Sequence, residues 1–394
     1  MTLRNEDGRL ASRAREIDRS VIRVMYDMAD AHEGELARLE VGEPDFDTPE
    51  HVVEAAFEAA RSGETHYTPN AGIPELREAI ADRYGEEDVP VDPDREIGVT
   101  TGAMEALHLA MLTVVDPGAE VVIPTPGWPN HATQTRLAGG APVEVPLPAD
   151  EGFALDAEAV TGAIGAGTVA VVLTRPSNPT GRVFDVETVR EVATAAAEHG
   201  AYVIADEVYR DLVYEGDGRP IAALVEEAEN VITVASCSKT YAMTGWRVGW
   251  LLAPEAVSER ANAIHESTTA CASSVGQHAA LAALTGPEGP VREMRAEFTE
   301  RREYVTERIK DLPGITAPTP EGAFYAFLDV REFGDDTLSI ATTLLEEYGV
   351  VVAPGTGFGE VGEGHLRVSF AAGMEELERG FDGIEAFARA EAPR

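Results

Sequence analysis

Three apolar runs constrain the fold most: Val169-Ala170-Val171-Val172-Leu173, Ala201-Tyr202-Val203-Ile204-Ala205 and Val231-Ile232-Thr233-Val234. Each is short, uncharged and mostly β-branched or small, the pattern of a strand buried on both faces. Residues 185 to 199 read as a helix that returns the chain from the first run to the second. Polar side chains follow every run. Arg175-Pro176-Ser177-Asn178-Pro179-Thr180-Gly181 follows the first, Asp206-Glu207-Val208-Tyr209 the second and Ser236-Cys237-Ser238-Lys239 the third. Open parallel sheets collect ligands beyond the carboxyl ends of their strands. The sequence therefore predicts an α/β fold in which an amide, a carboxylate, a phenol and an amine converge on one ligand.

Lys239 falls in the turn that leaves the third run. A lysine in a dry pocket loses part of its preference for the charged form, and the neutral amine condenses with carbonyl groups. Ser236 and Ser238 before it and Arg247 after it suit a phosphate on the same ligand. A second arm for that phosphate comes from Thr101-Gly102-Ala103-Met104-Glu105, which follows the strand Glu96–Thr100 and opens a helix to about Val115. Free N–H groups at a helix start, together with the positive helix end, favour an anion. The strand Val121-Val122-Ile123 exits into a Pro/Gly loop that carries Trp128. Loops of that composition seldom bury a tryptophan.

A chain of 394 residues predicts two domains. No run reaches the length of a membrane span, and the start of the chain carries no apolar leader, so a soluble cytoplasmic protein is expected. Seventy acidic residues against 31 basic ones give a formal charge of −39. Such a charge repels nucleic acid, and it repels itself unless salt screens it. Lys239 and Lys310 are the only lysines, and the expectation is a halophilic protein with its acids spread over a solvated surface. Cys237 and Cys271 lack disulfide or metal-site spacing. No metal is expected.

Taken in order, Gly42-Glu43-Pro44-Asp45-Phe46, Tyr67-Thr68-Pro69-Asn70-Ala71-Gly72, Thr101-Gly102-Ala103-Met104-Glu105, Asn178-Pro179-Thr180-Gly181, Asp206-Glu207-Val208-Tyr209, the Lys239 stretch and Leu366-Arg367-Val368-Ser369 resemble the class I/II aminotransferases, fold type I of the pyridoxal-phosphate enzymes. The resemblance spans nearly the whole chain. It implies a large domain (48–287) with a mainly parallel seven-stranded sheet flanked by helices, in which Val248-Gly249-Trp250-Leu251-Leu252-Ala253 is the edge strand. A smaller α+β domain (288–394) is joined by the N-terminal segment (1–47).

The same resemblance implies the cofactor, pyridoxal 5'-phosphate, and residue roles. Lys239 would hold it covalently and then carry the substrate's α-proton. Asp206 would keep the pyridine nitrogen protonated, Tyr209 and Asn178 would bond the ring oxygen, and Trp128 would stack on the ring. Gly102, Ala103, Met104, Ser236 and Arg247 would seat the phosphate. Tyr67 would reach the phosphate of the neighbouring subunit in a homodimer. Arg367, Asn178 and the backbone of Gly42 would take the substrate carboxylate, with the Asn178–Pro179 bond expected cis.

The implied reaction is a ping-pong transfer of the amino group from an L-amino acid, of aspartate/aromatic or broad range, to a 2-oxo acid such as 2-oxoglutarate. A C–S lyase of the same fold is the alternative. Some aspartate-specific relatives carry a lysine where this chain has Met104, which argues against that aspartate mode. A silent cofactor-binding regulator would append a basic DNA-binding domain, which this sequence does not show. Gly357-Phe358-Gly359-Glu360-Val361-Gly362 fits the dinucleotide fingerprint, but it runs into a strand instead of opening a helix. It is read as a flexible loop beside the substrate.

Overall fold

The computed structural model describes residues 10–15, 17, 19–226, 228–334 and 336–391. The residues ahead of Leu10, read above as carrying no apolar leader, lie outside that set. The strands in chain order begin with β1 (Ala37–Arg38), β2 (Ile97–Thr100), β3 (Glu120–Thr125) and β4 (Ala141–Pro146). They continue with β5 (Thr168–Thr174), β6 (Tyr202–Asp206), β7 (Val231–Ser236) and β8 (Gly249–Leu252). Strands β2 to β8 form a seven-stranded sheet in the order β2-β8-β7-β6-β5-β3-β4.

The three apolar runs are the neighbours β5, β6 and β7, all parallel. Thr174 is in register with Asp206, and Asp206 with Val234. Their carboxyl ends therefore lie in one row. Alternate residues feed two cores, as a strand's period of two requires. Val171, Leu173, Val203 and Ala205 pack on one face with Val189, Val192 and Ala196 of the helix Val186–Glu198. Ala170, Val172, Ile204 and Ile232 pack on the other with Leu107 and Ala110 of the helix Ala103–Val114. Asp185 caps Val186–Glu198 by accepting from the N–H groups of Glu187 and Thr188, a contact worth ~1 kcal/mol.

β8 is not the edge strand. It lies between β2 and β7, antiparallel to both, with Trp250 opposite Val99 on one side and Ala235 on the other. The edges are β2 and β4. The pairing of β2 with β8 joins segments about 150 residues apart in sequence, so no local pattern announces it. Gly249 has a packing reason. A Cβ there would come within 2.6 Å of the backbone nitrogen of Ala103, so only glycine lets β8 approach the turn at Gly102.

In the N-terminal segment the principal helix is Val21–Ala31, with Ser20 as its cap, and the chain then enters β1. The helix Glu255–Thr268 ends at a break where Ala270 takes a positive φ, and Ser273 then caps Ser274–Thr285. Ahead of the helix Glu50–Ser62, the hydroxyl of Thr48 donates to the carbonyl of Ala242.

The chain ends in a smaller unit: β9 (Tyr325–Asp329), the helix Thr337–Tyr348, β10 (Val350–Val351), β11 (Ala353–Pro354), β12 (His365–Ser369) and the helix Met374–Glu391. β12 pairs antiparallel with β11 and β9, and β1 pairs parallel with β10. Met25, Leu39, Phe298, Phe324, Val368 and Phe381 share its core, so the N-terminal segment packs with the C-terminal strands.

The 357–362 loop opens no α-helix; it ends in one 3-10 turn, Glu360–Gly362, ahead of β12. It is packed in place: Phe358 is 1% exposed and its carbonyl accepts from the N–H of Gly127. It borders a separate cavity of about 380 Å³ beside Trp128. Among the described residues no helix is long and apolar enough to cross a membrane.

Candidate active site

A cavity of about 460 Å³ opens where β5, β6 and β7 end and the helix Ala103–Val114 begins. The parallel register brings Asn178, Asp206, Tyr209, Ser236 and Lys239 to its wall, and the helix start adds Ala103 and Met104. Trp128, Arg247, Gly42 and Arg367 complete the expected set there. Gly102 and Tyr67 are not in the lining. Gly102 holds a φ of 77° behind the wall, where a Cβ would meet the guanidinium of Arg247 at 2.6 Å. Tyr67 is 90% exposed.

Lys239 Nζ donates to the carbonyl of Gly42 at 2.6 Å. Burial pulls its pKa down to about 8 from 10.5, with Arg367 and Arg247 adding to the shift and Glu43 and Asp206 opposing it. Opposite, Asp206 is buried and its Oδ2 lies 2.9 Å from Nε2 of His131. His131 is itself buried and meets Trp128 edge to face at 5.5 Å.

Arg367, 4% exposed, donates from Nη1 to Oδ1 of Asn178 at 3.1 Å and from Nη2 to the carbonyl of Glu40 at 2.5 Å. Its guanidinium lies over the rings of Tyr325 and Phe358. Its Nε is buried with no partner. A buried guanidinium with an unused donor has capacity for a carboxylate. The Asn178–Pro179 bond is cis, as expected; Thr125–Pro126 and Arg175–Pro176 are cis as well.

The phenol of Tyr209 bonds the phenol of Tyr325 at 2.8 Å, and burial pushes the Tyr209 pKa well up, with Tyr325 adding to the shift. Tyr325 was missed because Ala323-Phe324-Tyr325-Ala326-Phe327 reads as plain core strand. His131 was missed because it lies inside a short helix, Asn130–Ala138, where nothing local points at Asp206. Glu40 also lines the cavity, with Oε1 bonded to Arg38 at 2.6 Å and Oε2 unpartnered. The thiol of Cys237 is buried and pushed up to about 12 by desolvation, which makes it inert.

The wall can accommodate pyridoxal phosphate. The helix start, Ser236 and Arg247 make an anion-accepting corner, Asp206 supplies a buried carboxylate for a protonated ring nitrogen, and Lys239 is an amine poised to lose its proton.

Residues 35–383 match the family described as aminotransferase class I and II. An aspartate aminotransferase of Pyrococcus horikoshii is 38% identical over 379 residues, covering 95% of this chain and 96% of that one. Aromatic-amino-acid aminotransferase 2 of Thermococcus litoralis is 38% identical over 380 residues, covering 95% and 97%. The solved structure of the Thermus thermophilus aspartate aminotransferase with maleate is 38% identical, covers 96% of this chain and 99% of its own, and superimposes with a TM-score of 0.90. The fold thus has a full-length counterpart, and the chain belongs to the class I and II aminotransferases, which are pyridoxal-phosphate-dependent.

Proposed function

We propose that this aminotransferase takes L-amino acids of the aspartate/aromatic type as donors and 2-oxoglutarate as acceptor. The observation that carries the reading is the make-up of the cavity lining, which includes the side chains of Ile22, Tyr26, Met104 and Leu107 and the exposed cation Arg23, paired with Asp27. The apolar and aromatic side chains suit an aromatic donor; Arg23 suits a second carboxylate. The named aspartate and aromatic relatives support the same pair of donors.

Pyridoxal phosphate supplies an electron sink when bound. We assign its covalent anchorage to Lys239 Nζ, which also carries the proton leaving the substrate's α-carbon. Asp206 would hold a proton on the ring nitrogen, with His131 fixing the carboxylate. Arg367 and the backbone of Gly42 would fix the substrate carboxylate, and Asn178 would orient Arg367. Ser236, Arg247 and the N–H groups at 102–104 would hold the phosphate. Trp128 would face the ring, and Tyr209, bonded to Tyr325, would donate to the ring oxygen.

The exposure of Tyr67, away from its own cavity, supports a homodimer in which it serves the neighbouring subunit. We place the division between large and small units at 287/288, ahead of the helix Gly289–Lys310, with 1–47 joining the small one. A cytoplasmic, salt-rich setting is proposed from the charge.

The test is to add single amino acids to the cofactor-loaded enzyme in concentrated salt and follow the bound cofactor's visible absorption. Aspartate and aromatic donors should bleach it within one turnover and yield their 2-oxo acids. No bleaching with either class, or release of ammonia, would overturn the reading.

A further inference from the structure

Arg301 lies on the helix Gly289–Lys310, outside the cavity lining, yet it is 4% exposed and fully engaged. Its fork grips Asp45: Nη1 to Oδ1 at 2.7 Å and Nη2 to Oδ2 at 3.2 Å. Nη1 also donates to the carbonyl of Ala371 at 2.8 Å, and Nε donates to Glu297 Oε1 at 3.2 Å. The guanidinium lies 5.0 Å from the ring centre of Phe46 and 5.5 Å from that of Phe298.

The two segments it joins both lead into the cavity. Asp45 lies three residues after Gly42, whose carbonyl holds Lys239 Nζ. Ala371 lies four residues after Arg367, at the exit of β12. The N–H of Asp45 also donates to the carbonyl of Ala371, at 3.4 Å. One side chain thus bridges the loop that presents Gly42 and the chain that presents Arg367. Nothing in the local sequence links these three segments.

We infer that Arg301 is a positioning residue which, through Asp45 and Ala371, sets the spacing between Gly42 and Arg367 and hence the width of the carboxylate-binding end of the cavity. The inference rests on the assignment of Gly42 and Arg367 to the substrate carboxylate. A surface ion pair would add little. Here Asp45 is exposed but the guanidinium is buried and held on three sides, so its planar, bidentate fork fixes direction as well as distance, and lysine cannot reproduce it.

The test compares Arg301→Lys, Arg301→Met, Asp45→Asn and Arg367→Lys in the cofactor-loaded enzyme, with cofactor content measured on each. Misplacing a binding group by about 1 Å costs on the order of 10²-fold. Arg301→Met should raise the donor KM by about tenfold or more while kcat falls much less, with cofactor content unchanged. Arg301→Lys should recover part of that loss, and Asp45→Asn should show the same split more weakly. A role in stability alone would lower active enzyme and kcat and leave KM in place. If Arg301→Met does not fold, Asp45→Asn decides. An unmoved KM in the folded Arg301 and Asp45 variants, with KM raised in Arg367→Lys, overturns the inference while keeping the assignment of Arg367. An unmoved KM in all four overturns both.

Discussion

The ammonium of Lys239 is bonded to the carbonyl of Gly42 at 2.6 Å, so the reactive amine of the large sheet is tied to a loop that leads out of the small unit. That bond alone does not hold the amine at its ordinary pKa. Burial dominates, and the pKa falls to about 8.

In the cofactor-free protein, the folded state therefore binds fewer protons at Lys239 than the unfolded chain between about pH 8 and 10.5. Stability from this group rises with pH across that window and is penalised below it. Lys239→Met should stabilise the cofactor-free protein at pH 7, with the gain shrinking as the pH passes 8. Thermal unfolding of both forms from pH 7 to 10 checks the sign. Acylation gives a second measure: Lys239 should react with a rate that rises through about pH 8, and Lys310, the other lysine, is resolved from it by peptide mapping.

Lys239→Ala should lose both tether and proton carrier. Turnover should fall by at least about 10²–10⁴-fold, the range for a positioned acid–base group, and borohydride should trap no covalent cofactor. A reducible linkage surviving in this variant would move the assignment elsewhere.

Asp206 Oδ2 lies 2.9 Å from His131 Nε2 in a dry setting, and in the proposed assignment it pairs with the protonated ring nitrogen; truncating one partner of such a buried charge pair costs roughly 2–5 kcal/mol. Asp206→Ala should weaken cofactor retention by that measure, about 30-fold or more. His131→Phe keeps the contact with Trp128 but removes the donor, and should cost about 1.5–3 kcal/mol. Equilibrium dialysis of the cofactor against each variant reads both.

These residues also mark what was legible in the sequence. Asp206, Lys239 and Asn178 could be found because each follows an uninterrupted apolar strand, and strand ends in a parallel sheet share one edge. Tyr325 and His131 could not, since their local patterns are those of core strand and short helix; only the tertiary packing aims them at Tyr209 and Asp206. The misplaced β8 has the same origin. Its apolar pattern identified a strand, but whether β2 would pair outside it depends on a long-range contact, and Gly249 signals close approach without naming the partner.

Met104 faces the cavity with its sulfur 3.5 Å from Nε2 of Gln134. Met104→Lys would add a cation to a lining that also holds Ile22 and Leu107. A charged hydrogen bond contributes about 1.5–3 kcal/mol, so kcat/KM for aspartate relative to phenylalanine should rise by about tenfold or more. Steady-state rates with the two donors measure it. A ratio that does not move would place the distal carboxylate elsewhere, with Arg23 as the next candidate.

The formal charge of −39 acts on the whole molecule. Many of the arginines are already committed to carboxylates, as in Arg95–Glu255 and Arg308–Asp382 on the surface, so the excess acids have no cations left to pair with and repel one another. Salt at 1 M shrinks the Debye length to about 3 Å, which quenches that repulsion between exposed groups but hardly touches buried contacts such as His131–Asp206. Raising potassium chloride from about 0.1 M to about 2 M should therefore raise Tm, and dialysis into dilute buffer should cost activity before the cofactor is lost. The same series on a variant with several exposed glutamates changed to glutamine should give a shallower slope. A Tm that is flat across the series would mean that the acids are spaced widely enough for water alone to screen them, and would remove the argument for a saline cytoplasm.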